Sequence, residues 1–396
     1  MVGPNSLKND LPALPKEWSW VSIGECLDFK NGLNKAKRFF GYGKPIINYM
    51  DVFKFSGLYA SQIKGKVDVD ANELRSFEVK RGDVLFTRTS ETVDEVGISC
   101  AVLDQVSDTV FSGFVLRGRP KNNKLNDLFK KYVFSSALVR KQITSKATYT
   151  TRALTNGRVL SNVLIPVPDC EKEQQAIAEA LSDADALIAS LETLIEKNQW
   201  LKASVISQLI GQNQSKSKHT FSHWQTLTIE DAATLKSGSA ITAKDIFSQG
   251  SFPCYGANGL RGYSKTNTHD GNFVLIGRVG ANCGNIHAVK GKFFASEHAL
   301  VCTPKAGVDA SFLAEVLKTL QLNKYSESSA QPVLSAENLY KLSLKMPVDI
   351  NLQKSIAQQI DSFDLKIDSL LKTLDKSKKV KAGMMQELLT GRTRLI

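Results

Sequence analysis

The 396-residue chain carries 51 Lys and Arg against 39 Asp and Glu, a net charge of +12, with 42% hydrophobic and 23% charged residues. That length exceeds what one core usually organises, so two domains are expected, and the longest uncharged apolar runs fall short of the roughly 18 residues a spanning helix needs. Residues Met1–Asp10 lack a basic-then-apolar leader and the six cysteines form no CxxC pair, so membrane, export and disulfide-scaffold classes are set aside and a cytoplasmic location is expected.

The first element is a block, Trp18, Val21, Ile23, Phe29, Lys30 and Gly32, whose alternation at Val21 and Ile23 predicts a short strand with one buried face. Lys35, Lys37 and Arg38 follow beside Phe39 and Phe40, a mixture of cations and aromatics suited to a phosphate backbone. Pro45-Ile46-Ile47-Asn48 and Gly82-Asp83-Val84-Leu85-Phe86 read as strands bounded by turn residues, and Arg88 lies just past the second. An arginine fork on a rigid element can take two hydrogen bonds from guanine; a salt bridge to a nearby carboxylate is the other reading. Between these strands, Asp70, Glu78 and Lys80 offer carboxylates and a lysine that could hold magnesium and water, as in a nuclease, although the second half has no counterpart. Tyr149 and Arg152 add further groups able to meet bases and phosphates.

The first half closes on Leu160, Val163, Ile165 and Pro168, then a helix in which Ile177, Leu181, Ala184, Ile188, Leu191 and Ile195 follow four-three spacing. Such spacing lays one apolar stripe along the helix, continued by Val205 and Leu209, and Gly211 is placed to end it. From Glu171 to Leu209 this helix would reach about 60 Å at 1.5 Å per residue.

The second half repeats the plan. Trp224, Leu227, Ile229, Leu235, Lys236 and Gly238 restate the opening block at an offset of 206 residues. The stretch Cys254–Tyr263 reads as a glycine-rich loop presenting Tyr255, Asn258 and Arg261. Asn272-Phe273-Val274-Leu275-Ile276 is a strand with Arg278 just past it, matching Arg88 at an offset of 190, and Asn282 follows. Cys283, His287 and His298 lack a second close ligand pair, so no metal is expected. Leu339, Leu342, Leu344 and Pro347 restate the closing block at an offset of 179, and Ile356, Ile360, Phe363, Ile367, Leu370 and Leu374 restate the stripe at that same offset before Met384, Leu388 and Gly391. The material between the framing blocks is therefore 27 residues shorter in the second half: the frame is kept while the filling changes. The simplest burial for two matched stripes on one chain is against each other, antiparallel; packing of each helix on its own domain is the competing arrangement.

Charge follows the same division. Residues 1–168 carry +9, 169–212 carry −5, 213–348 carry +5 and 349–396 carry +3, so a polyanion would meet two basic blocks.

The ordered features resemble the specificity (S) subunits of type I restriction-modification enzymes. The likeness covers nearly the whole chain and is carried by Ile165-Pro166-Val167-Pro168, Glu173-Gln174 and Gln208-Leu209-Ile210-Gly211, then by Met346-Pro347, Gln353 and Leu388-Leu389-Thr390-Gly391. It is also carried by Phe252-Pro253-Cys254-Tyr255-Gly256, Ile276-Gly277-Arg278-Val279-Gly280 and Gln331-Pro332-Val333-Leu334-Ser335. Leu352 stands where the first copy has Glu173, a departure that puts a side-chain contact at that turn in question.

The resemblance implies an α+β protein with an internal pseudo-twofold repeat: target-recognition domains with twisted β-sheets at 1–168 and 213–348, separated by long helices at 169–212 and 349–396 that form an antiparallel coiled coil. It implies a non-catalytic DNA sequence-reading subunit that docks modification (methyltransferase) subunits on its helices. Double-stranded DNA and a restriction (translocase/endonuclease) subunit complete the expected partners, with no membrane among them. This chain would bind no cofactor, S-adenosylmethionine, ATP and Mg belonging to the partner subunits. The sequence lacks an Asn-Pro-Pro-aromatic segment, a Walker loop and a GxSxG elbow, which agrees with that division. A magnesium-dependent nuclease and a non-specific DNA-bridging protein are the alternatives.

Overall fold

The computed structural model describes residues 11–149, 151–210, 223–327 and 332–396. Residues Met1–Asp10, on which the absence of a leader was expected, Thr150, the capping glycine expected at Gly211 and Gln331 lie outside the described residues. The chain divides into two compact units: unit 1 is Met1–Leu191 with Thr373–Ile396, and unit 2 is Glu192–Lys372. This division falls inside the long helices rather than at their ends, so each unit holds one globular block and a segment of each helix.

In unit 1 the framing strand Trp18–Ser22 pairs antiparallel with Leu164–Pro168, Trp18 opposite Pro168 and Val21 opposite Ile165. The central sheet has the order Leu27–Asn31, Val115–Pro120, Val84–Thr87, Ser99–Val102, Gly57–Leu58, with only the last pairing parallel. In unit 2, Trp224–Thr228 pairs with Ser343–Pro347, Trp224 opposite Pro347, the register of unit 1 restated. Its central sheet runs Ala233–Ser237, Ala299–Pro304, His269–Gly277, Ile286–Ala295, Phe252–Gly256, Gly259–Ser264, again antiparallel until Phe252–Gly256 joins parallel. The first five places are those of unit 1. Unit 1 adds two small three-stranded sheets, one built on Phe40–Ile47 and one of Thr148–Tyr149, Ala153–Leu154 and Thr89–Ser90.

One expectation is corrected in both copies. Ile23 and Ile229 do not extend the framing strands but begin one-turn helices, Ile23–Cys26 and Ile229–Ala232. The cause is a reciprocal capping box: Ser22 Oγ accepts from the Glu25 amide while Glu25 accepts from the Ser22 amide, and Thr228 with Asp231 does the same.

Helix α1 (Asp127–Val133) packs on the unit 1 sheet, and α2 (Glu171–Leu209) follows the framing strand; α3 (Ala310–Thr319) and α4 (Ile350–Leu388) hold the same places for unit 2. Ile177 and Leu181 are fully buried, but in the core of unit 1, with Phe86, Phe129, Ile165, the last α4 residue Leu388 and the next residue, Leu389. Ile356 and Ile360 likewise join Val274, Phe312, Leu344 and the α2-side residue Ile210 in the core of unit 2. The start of each stripe therefore serves its own globular block, the arrangement weighed against a pure coiled-coil seam. Farther along, Leu191, Ile195 and Ile367 are buried while Ile188, Phe363, Leu370 and Leu374 are half-buried, because a two-helix pair covers only one side of each rod.

Within each unit the two helix segments are antiparallel. In unit 1, moving along α2 from Leu181 to Asp185 moves the partner back along α4 from Leu388 to Lys381, which pairs with Asp185. In unit 2, Lys202 holds Asp364 at 2.6 Å while Leu209 and Ile210 meet the earlier residues Ile356 and Ile360. Asp364 and Lys381 lie 179 residues after Asp185 and Lys202, so one ion pair is written twice. Three residues past the end of α4 at Leu388, Gly391 adopts a φ of +71°, a left-handed conformation that suits a residue without a Cβ.

A shared anchor fixes each helix to its block. Gln174 donates to the Pro168 and Lys124 carbonyls (3.0 and 2.8 Å) and accepts from the Asn126 amide at 2.8 Å. Gln353 donates to the Pro347 and Gly307 carbonyls (2.8 and 3.0 Å) and accepts from Asp309 at 2.8 Å. Asn126 and Asp309 cap α1 and α3. The neighbouring residues differ. Glu173 is fully buried, taking a hydrogen bond from Trp18 Nε1 and a fork from Arg394, whereas Leu352 is 41% exposed. The contact questioned from sequence exists in the first copy only.

Candidate nucleic-acid interface

Arg88 and Arg278 occupy one position of the repeated frame. Each follows a buried strand, Val84–Thr87 or the end of His269–Gly277. The Arg88 amide donates to the Phe114 carbonyl (3.0 Å) and its carbonyl accepts from Thr155 (3.0 Å); the Arg278 amide donates to His298 (2.9 Å) and its carbonyl accepts from Leu334 (2.9 Å). Both backbones are thus clamped from two sides, leaving the side chains to be aimed. Arg88 Nη1 reaches the Gly113 carbonyl at 3.4 Å and Arg278 Nη1 the Ser237 hydroxyl at 2.7 Å. Both side chains are half-buried, and among the described residues neither forms an ion pair with a carboxylate, so the salt-bridge reading is not what holds them.

The matched glycines explain how the flanking turns come so close. A Cβ on Gly32 would lie 2.1 Å from the Ser112 carbonyl oxygen, and one on Gly238 would lie 2.2 Å from that of Ser296. Only glycine allows the opening block to run against the turn that carries Phe114 or His298.

Around Arg88 the small sheet pairs Ala153–Leu154 with Thr89–Ser90, which brings the hairpin bearing Tyr149 and Arg152 beside it. Tyr149 is 61% exposed and Arg152 is exposed. A cleft of about 330 Å³ there is lined by Tyr49, Thr89, Glu91, Glu95, Phe114 and Arg152. Glu95 is held by the Ser90 hydroxyl. Lys37 and Arg38 are exposed on a separate turn, Lys37–Phe39, where the Arg38 guanidinium lies 4.9 Å from the Phe39 ring centre. Their neighbour Lys35 is engaged with Glu73 at 2.6 Å.

In unit 2 the expected loop at Cys254–Tyr263 is instead a hairpin, Phe252–Gly256 with Gly259–Ser264, turning at Ala257-Asn258 and carrying a bulge at Cys254/Tyr255. The Tyr255 ring is half-buried and packs edge-on against Phe293 at 5.9 Å, and burial pushes its phenol up from the usual value. Arg261 and Asn258 are exposed. Asn285, which sequence reasoning did not single out, donates to Asn258 at 3.3 Å and reaches Asn282 at 3.5 Å, gathering three amides at one edge. No spacing rule flags that cluster, because it forms across a hairpin and a 3-10 turn.

The remaining candidates have structural duties. Asp70 caps the helix Ala71–Phe77 by accepting from the Asn72 and Glu73 amides, and Glu78 pairs with Lys80 at 2.9 Å on the surface, so the carboxylates of the nuclease reading do not converge. Cys283 donates to the Arg278 carbonyl at 3.3 Å, and burial raises its thiol, whereas burial lowers the His287 imidazole. Among the described residues no group of three or more His, Cys, Asp or Glu could hold a metal ion, and no helix is long and apolar enough to cross a membrane.

Residues 15–199 and 222–379 match the family described as type I restriction modification DNA specificity domain. The chain belongs to that family. It is 38% identical over 147 residues to the Escherichia coli type I restriction enzyme EcoprrI specificity subunit, an alignment spanning 36% of each chain. It is 23% identical over 421 aligned positions to a Methanocaldococcus jannaschii chain named for the MjaX type I restriction enzyme specificity subunit, covering 99% of this chain and 97% of that one. The fold is shared with the crystal structure of a type I restriction-modification S subunit from Mycoplasma genitalium, with a TM-score of 0.64 at 19% identity over 96% of this chain and 97% of the other. The frame-and-filling repeat is thus the layout of a DNA specificity protein, one variable filling in each unit.

Proposed function

We propose that the chain is the sequence-reading subunit of a type I restriction-modification complex, each unit reading one part of a split DNA target. The observation that carries this reading is the twice-written arginine, clamped by the same backbone bonds in Arg88 and Arg278 yet set among different neighbours. Basic blocks of +9 and +5 supply the sequence-independent attraction to phosphates. The chain performs no chemistry in this reading. Methyl transfer with S-adenosylmethionine belongs to modification subunits, and ATP- and Mg-dependent translocation and cleavage to a restriction subunit, all in the cytoplasm. Large apolar side chains left exposed on the long helices, Trp200 at 68% and Leu365 at 72% in unit 2 and Val380 at 52% in unit 1, are suited to docking those subunits.

Methylation-site sequencing of a host carrying the intact system tests the proposal. A methylated motif made of two short specified parts is expected, lost when this gene is deleted. A motif that survives the deletion would assign the reading elsewhere. Trp200→Glu is expected to reduce co-purification of modification subunits while leaving the fold intact by circular dichroism.

A further inference from the structure

The turn that closes on the repeated arginine carries a different side chain in each unit. In unit 1 the turn is Ser112-Gly113-Phe114, and in unit 2 it is Ser296-Glu297-His298. The correspondence is fixed by the backbone. Ser112 bridges Leu33 and Ser296 bridges Ser239, both parallel, 206 residues apart on one side and 184 on the other. One residue before each bridge, Gly32 and Gly238 abut the same serine carbonyl. Phe114 and His298 then offer their carbonyls to the amides of Arg88 and Arg278.

Because two such unlike side chains occupy one site, the frame does not need either of them. Phe114 makes no core: it is 56% exposed, next to a fully buried Val115. Its position is nevertheless defined, since its amide donates to Ser112 Oγ at 3.3 Å and Val115 donates to the Ser112 carbonyl at 2.9 Å. It also forms a wall of the 330 Å³ cleft that contains Arg152. A phenyl ring that lines a cleft with Arg152, on the residue whose carbonyl clamps Arg88, has no hydrogen bond to give. In the major groove the one apolar group that distinguishes a base is the thymine methyl.

We infer that Phe114 is a specificity-determining residue that reads a thymine methyl group in the half-site taken by unit 1. His298, whose Nε2 lies 3.3 Å from Glu297 Oε1, replaces that apolar contact with a hydrogen-bonding one in unit 2. The inference rests on the DNA-reading function proposed above and goes beyond it by naming the residue and the chemical group.

The test uses the full chain with its co-purifying subunits. The target is first selected from random duplex DNA, and every thymine in it is then replaced singly by deoxyuridine, which removes only the methyl. In the half-site whose preference Arg88→Ala relaxes, one such replacement is expected to weaken binding about fourfold, the worth of one buried methyl group. That penalty disappears in Phe114→Ala, persists at least in part in Phe114→Leu, and is unchanged in His298→Phe. A half-site without thymine, or a penalty that Phe114→Ala leaves intact, overturns the inference while the reading function stands. A wild-type protein that selects no sequence overturns both.

Discussion

In unit 1, Gln174 ties the start of α2 to the carbonyls of Pro168 and Lys124; in unit 2, Gln353 ties α4 to those of Pro347 and Gly307 in the same way. One residue earlier the units part, with a buried Glu173 gripped by Arg394 and an exposed Leu352. The pattern recurs at Gly32 and Gly238, which are identical, beside Phe114 and His298, which are not. Positions that satisfy buried backbone groups, or that leave room for backbone, are held by geometry in both copies. Positions facing outward or toward the termini are free to differ, and those are where the units acquire separate tasks.

The strongest way to break this comparison is at the glycines. Gly32→Ala and Gly238→Ala each push a Cβ against a carbonyl oxygen and are expected to destabilise their own unit by about 3 kcal/mol, measured by urea unfolding. Tolerance of either substitution would mean that the two turns are not equivalent. Next come the glutamines: Gln174→Leu and Gln353→Leu should each lose about 1–3 kcal/mol, by similar amounts, since each strands buried backbone groups. The stripe sharpens the contrast between buried and half-buried positions. Ile367, 8% exposed, should cost more when changed to Asp than the half-buried Ile188, and unchanged complex size by light scattering after both changes would count against the seam.

A smaller effect separates two aspartates. Burial would raise the Asp185 carboxyl, but hydrogen bonds from Lys131, Lys381 and Tyr132 outweigh it and hold the group below the usual carboxylate range. Asp361 in unit 2 is shifted the other way, raised by burial and by Glu315. A lowered folded value means that the Asp185 contribution is present above the unfolded carboxylate pKa, about 3.9, and is lost as pH falls through the folded value. Asp361 has the opposite sign, and its protonation as pH falls favours the folded state. Asp185→Asn should therefore lower stability by about 1.5 kcal/mol at neutral pH and flatten the acid limb of the unfolding curve. Asp361→Asn should not lower it at neutral pH. Equal acid limbs in wild type and Asp185→Asn would contradict this assignment.

Much of the frame was legible from sequence because it is written twice: matched blocks marked the segments at the opening and close of each half, whose pairing as strands only the fold shows, and four-three spacing located both long helices. Periodicity tells which face of a helix is apolar but not what covers it, which is why Ile177 and Leu181 read as seam and proved to be core. The Ser22/Glu25 box was local enough to be read, yet the alternation of Val21 and Ile23 masked it. The placement of Arg88 and Arg278 just past a buried strand was legible because the apolar runs before them are strongly patterned. The hairpin at Phe252–Ser264 was read as a loop because the two share a glycine-rich composition, and Phe293, which packs against the Tyr255 ring, lies far along the chain. Asn285 and Arg394 act through partners that only folding brings near.

Selection of binding sites from random duplex DNA by wild type, Arg88→Ala and Arg278→Ala tests the central claim most directly. The wild type should select two unlike specified parts, and each variant should relax one part alone, with a loss of about 1–3 kcal/mol on the original target. Uniform weakening on every sequence, or both variants relaxing the same part, would contradict a chain in which each unit reads its own share of the target.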